Sequence, residues 1–88
     1  MGTLTIKVDF KEEGGTASVG IIPTDIPEWE PEETSELNEE LPPGDYLITW
    51  VTLMQGGGSI SVLVDDVEKC SQELEVGDDG GNCTITIP

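Results

Sequence analysis

Apolar residues recur at every second position along most of the chain, the spacing of half-buried strands. Leu4, Ile6, Val8 and Phe10 alternate with Thr3, Thr5, Lys7 and Asp9. After Glu-Glu-Gly-Gly at 12–15, Ala17, Val19 and Ile21 repeat the pattern until Pro23 stops it. Tyr46 to Gln55 is apolar on both faces, which predicts a central strand, with Tyr46, Trp50 and Met54 on its core side. Ile60, Val62 and Val64 follow, then Cys70, Gln72, Leu74 and Val76, then Cys83, Ile85 and Ile87, each set alternating with polar or smaller residues. About six short strands separated by Gly-rich turns predict an all-β fold, a small antiparallel β-sandwich or barrel. Residues 1–88 make one domain.

Two hairpins are expected. Gly56-Gly57-Gly58 is a common loop length once glycine supplies positive φ. Closing it opposes Met54 with Ile60, Thr52 with Val62 and Trp50 with Val64. That register leaves a second apolar strip, Val51 and Leu53 beside Leu63 and Ser61, which something must cover. The other hairpin turns at Gly77–Asn82, with Val76 opposite Cys83. Cys70 then lies roughly 20 Å along the ladder from Cys83. A disulfide needs Cα atoms within about 7 Å. This register excludes an intramolecular bridge, and both thiols read as small core residues.

Residues 26–43, Ile-Pro-Glu-Trp-Glu-Pro-Glu-Glu-Thr-Ser-Glu-Leu-Asn-Glu-Glu-Leu-Pro-Pro, break the alternation. They predict an acidic loop or short helix inserted between strands two and three. Asp25 through Asp45 holds nine acidic residues and no basic one. Prolines confine a helix to about residues 31–41, with Pro31 at its first position. Leu37 and Leu41 would form a thin apolar stripe packing, with Trp29, onto the second strip. Glu32, Glu33, Glu36, Glu39 and Glu40 would then carry five charges over about 16 Å. That is near one per 3.3 Å, close to the phosphate spacing of a DNA strand at about 3.4 Å.

The charge count sharpens this picture. The chain has 19 Asp and Glu against three lysines, no Arg and no His, for a net charge of −16. Such a chain does not bind nucleic-acid phosphates or anionic membranes directly. No residue is expected to hold a cofactor or metal. Asp65-Asp66 and Asp78-Asp79 lack Ca²⁺-loop spacing and read as turn chemistry. Ser and Thr have no His to activate them, so catalysis is not expected. Asn82-Cys83-Thr84 matches a glycosylation sequon without secretory context. No apolar run is long enough for a membrane span and no signal peptide is visible. The expected setting is cytoplasmic, or virus-encoded in a host cytoplasm.

Leu41-Pro42-Pro43-Gly44-Asp45-Tyr46 resembles the turn into a strand found in transthyretin-like and other surface β-sandwich modules. The resemblance implies a sandwich and nothing about activity.

Function is expected to be non-catalytic: an acidic module docking a basic partner protein. Its specific form is a nucleic-acid mimic that inhibits a nucleic-acid-binding protein, as phage anti-defence proteins do. The residues expected to carry it are Glu28, Trp29, Glu30, Glu32, Glu33, Glu36, Leu37, Glu39 and Glu40. The carboxylates would speed encounter, and Trp29 or Leu37 would supply the buried contact. The alternative is a structural β subunit of a capsid, tail or filament, a homo-oligomer joined through the edges Leu4–Phe10 and Cys83–Pro88.

Overall fold

The protein, described here by a computed structural model, is all-β over residues 2–11 and 14–88; Met1, Glu12 and Glu13 lie outside the described residues. The strands are β1 (Gly2–Phe10), β2 (Gly15–Ile22), β3 (Ser35–Leu41), β4 (Gly44–Met54), β5 (Gly58–Val64), β6 (Val67–Leu74) and β7 (Gly77–Ile87). They form two antiparallel sheets, a four-stranded one in the order β3-β1-β5-β6 and a three-stranded one in the order β2-β4-β7. We name these sheet A and sheet B. Among the described residues no helix is long and apolar enough to cross a membrane.

The alternation seen in the sequence builds the sandwich directly. Leu4, Ile6 and Val8 of β1 and Ile60 and Val62 of β5 face Val19 of β2, Ile48 and Trp50 of β4 and Ile85 of β7, all buried. The doubly apolar segment is indeed the central strand of its sheet, with Tyr46, Trp50 and Met54 in the core. Tyr46 sits just past the expected Pro-Gly turn, and its phenol donates to the Pro42 carbonyl at 2.8 Å. The bond has the form of a tyrosine corner: the chain crossing from β3 to β4 is pinned by the start of its own next strand.

Only one connection, β5 to β6, stays within a sheet. Asp65 and Asp66 make its two-residue turn, both with positive φ (49° and 67°), as a type I′ hairpin requires. Neither expected hairpin exists. β4 and β5 belong to different sheets, so residues 55–57 are an arch between layers, and β5, which begins at Gly58, pairs with β1 and β6. β6 and β7 are likewise in different sheets, and Gly77–Asn82, expected to turn, is the first half of β7. That arrangement overturns the argument against a disulfide. Cys70 and Cys83 face each other across the sandwich with Cα atoms 6.4 Å apart, and they are bridged. The edge assignment changes too: Leu4–Phe10 lies in the middle of sheet A between β3 and β5, while β7 is an outer strand of sheet B.

The acidic segment contributes a seventh strand instead of a helix or loop. Ser35–Leu41 pairs along β1, with Ile6 opposite Leu37 and Gly2 opposite Leu41. Leu41 is buried in the core, Leu37 is half-buried against it, and Glu36, Asn38 and Glu40 point outward. Asn38 accepts a 2.8 Å hydrogen bond from the Thr5 hydroxyl, which is buried on the outer face of sheet A.

Where the chain passes from β6 to β7, Asp79 gathers the backbone. Its carboxylate accepts from the Glu75 N–H at 3.0 Å and the Gly80 N–H at 2.8 Å. These bonds, Glu75 first, hold the carboxyl below its ordinary value of 3.8. A depressed carboxyl contributes stability that is present above the ordinary value and is lost as pH falls through the lower folded one. A carboxyl-carbon NMR titration should give Asp79 a midpoint below 3.8. A midpoint at or above that value would mean the two amides do not bond it in solution.

Candidate docking face

The outer face of sheet B is built from residues that alternate away from the core. Register places Thr16, Leu53 and Asp78 in one row across β2, β4 and β7, and Ser18, Val51 and Gly80 in the next. Val51 is 67% exposed and Leu53 52% exposed, so the middle of this face is two uncovered apolar side chains. The second strip expected from the sequence is therefore divided. Val51 and Leu53 are on sheet B, whereas Leu63 and Ser61 lie on the outward side of β5 in sheet A.

One side of this face is bounded by a strap. Val19 donates to the Trp29 carbonyl at 2.8 Å, Trp29 donates to the Val19 carbonyl at 2.9 Å, and Ala17 donates to the Pro31 carbonyl at 3.2 Å. Residues 28–32 thus run along β2 as an extra edge piece and follow its two-residue alternation. Trp29 pairs with the inward-facing Val19 and packs half-buried against the core; Pro31 is buried. Glu28, Glu30 and Glu32 are exposed, and Glu28 accepts a hydrogen bond from the Ser18 hydroxyl on the outer face. A groove of about 320 Å³ runs between strap and sheet, with Val51 and Leu53 on its floor and Glu30, Glu32 and Asp78 around it.

None of the three lysines lies on this side. Lys7 is in β1, paired with Glu36 at 3.9 Å; Lys11 follows β1 and pairs with Glu73 at 3.4 Å; Lys69 is in β6. All three belong to sheet A or its flank, and the strands of sheet B contain no basic residue.

The residues expected to form one acidic surface are split between two. Glu28, Glu30 and Glu32 border the sheet B face. Glu33 is exposed in the bend before β3, and Glu36 and Glu40 lie on the opposite, outer face of sheet A. Glu39 is half-buried on the inward-facing side of β3, beside Leu37. Trp29 and Leu37, expected as anchors for a partner, are partly buried against the protein's own core. Extended chain sets Glu36 and Glu40 roughly 13 Å apart, so the helical charge spacing that matched DNA phosphates does not form. Sequence reading missed Asp78 and the Thr16–Ser18 wall. The missing signal was Glu-Trp-Glu-Pro-Glu at 28–32, itself a period-two pattern with its charges on one side. No family model, curated protein or solved structure matches this chain.

Proposed function

We propose that this domain is a non-catalytic interaction module whose sheet B face docks a basic partner protein. The carrying observation is the pairing of two exposed aliphatic side chains, Val51 and Leu53, with a rim of Glu30, Glu32 and Asp78 on a sheet that has no basic residue. An apolar floor with an acidic rim suits lysine or arginine side chains, whose stems pack on aliphatic surface while their heads meet carboxylates. Long-range attraction from a net charge of −16 raises the encounter rate and is screened by salt. Support for nucleic-acid mimicry weakens with the loss of the helix, so the broader reading is the one we retain. The Cys70–Cys83 bridge favours an oxidising compartment over the cytoplasmic setting expected from the sequence.

A short synthetic peptide of alternating lysine and valine, titrated at low and at moderate salt, tests the docking. Changing Glu30→Gln, Glu32→Gln and Asp78→Asn together should weaken binding about tenfold, or about 1.4 kcal/mol. Glu36→Gln with Glu40→Gln, on the other sheet, should leave it within about twofold, the small change expected of charges remote from the contact. Equal losses from both sets would show general charge attraction with no site on sheet B.

The second reading, assembly through sheet edges, retains one of its two edges, because β7 is an outer strand.

A further inference from the structure

We infer that the basic partner enters as an extended segment that adds to β7, lengthening sheet B by one strand; this rests on the docking reading above. The Val19–Trp29 bonds turn the odd-numbered residues of β2 toward the strap and its even-numbered ones toward β4. Carrying that alternation through Ser18–Val51 and Trp50–Gly81 makes the odd-numbered residues of β7 the ones that bond β4. The N–H and C=O groups of Gly80, Asn82, Thr84 and Thr86 therefore point away from the sheet. Gly80 is already served within the chain: its carbonyl accepts from the Gln72 side chain at 3.3 Å and its N–H donates to Asp79. Asn82, Thr84 and Thr86 are left as an open template.

Other edges among the described residues carry the devices that prevent strand addition. β2 is covered by the strap. β3 carries Glu39 on its inward-facing side, where an added strand would help bury it. β6 is broken by a bulge opposite Val62 and Leu63, next to Lys69. Asn82–Thr86 has no charge, no proline and no bulge. A second copy of the chain is a poor occupant, because each copy carries a net charge of −16 and repels the other. A lysine- or arginine-bearing strand suits the edge. Its outward side chains would lie beside Thr86, whose hydroxyl bonds the exposed Asp45 carboxylate, so a lysine there meets a negative charge.

The probe is the lysine–valine peptide, with a second version N-methylated at alternate amides so that one edge cannot donate. Thr84→Pro removes the central edge donor without touching the β4 ladder, a position where a strand tolerates proline. We expect the unmodified peptide to protect the Asn82, Thr84 and Thr86 amides from exchange. Binding should fall at least tenfold both in Thr84→Pro and with the methylated peptide. If Thr84→Pro does not fold, the methylated peptide on the native domain decides alone. Binding that survives both changes, yet falls in the Glu30→Gln, Glu32→Gln, Asp78→Asn variant, overturns strand addition and leaves docking standing. No binding to the native domain at low salt overturns both. A dimer of the domain alone, abolished by Thr84→Pro, would show that the edge serves a second copy instead.

Discussion

Replacing both Cys70 and Cys83 with alanine is expected to lower the unfolding free energy by about 3 kcal/mol. Chain entropy sets the size: the bridge spans a sequence separation of 13, and closing a loop of that order restricts the unfolded chain by about that much. Domains of this length have roughly 5–13 kcal/mol in total, so the loss is a large share of the whole. The melting temperature should fall by roughly 12–24 °C on the usual scaling for small domains. The bridge also joins the outermost strands of the two sheets, β6 and β7, which the chain otherwise links only through residues 75–76. Denaturant titration of the native and double-alanine chains measures the difference. A change under about 1 kcal/mol would mean that packing alone holds β6 against β7 and that the bridge restrains little of the unfolded chain.

Gly58→Ala should cost about 2–3 kcal/mol, the upper part of the range for overpacking. A Cβ at residue 58 would stand 2.1 Å from the Asp9 carbonyl oxygen and 3.2 Å from its carbon. The obstacle is main chain, so no rotamer relieves it. The Phe10–Gly58 end of the β1–β5 ladder must open instead. Gly20→Ala is the control. Its Cβ would meet only the Thr49 hydroxyl, at 3.2 Å, and a hydroxyl can turn away. That change should stay within about 0.5 kcal/mol. Similar melting for the two variants would contradict the close approach of β5 to β1.

The strands themselves were legible in the sequence because a two-residue period has one physical meaning when half the side chains are buried. Their partners were not. A Gly-rich loop after an apolar strand fits a hairpin and an inter-sheet arch equally well, and local pattern cannot separate them. The error over the cysteines came from reading Gly77–Asn82 as a turn, when it is strand and β6 and β7 lie in different sheets. Residues 35–41 failed for another reason. Leu37 and Leu41 are four apart, which is close to one helical turn and also two full strand repeats. Pro31 at a possible first helical position favoured the helix, and pairing along β1 decided the structure. Of the candidate site, Glu28, Glu30 and Glu32 were legible as charge. The face they border was not, since Val51, Leu53 and Asp78 meet them only through sheet order.

Strands that pair across sequence rather than along it also set the timing of synthesis. A ribosome adds roughly 5–20 residues per second, and folding within a domain follows what has emerged. β1 finds no partner until Ser35–Leu41 is made, and β4 lacks one neighbour until Gly77–Ile87 is made. Cys70 remains a thiol until Cys83, near the close of the last strand, is available. Sheet B therefore cannot close before nearly the whole domain is out. A nascent chain of this design carries exposed Val and Ile strands for several seconds, during which its dense negative charge is what keeps neighbouring copies apart.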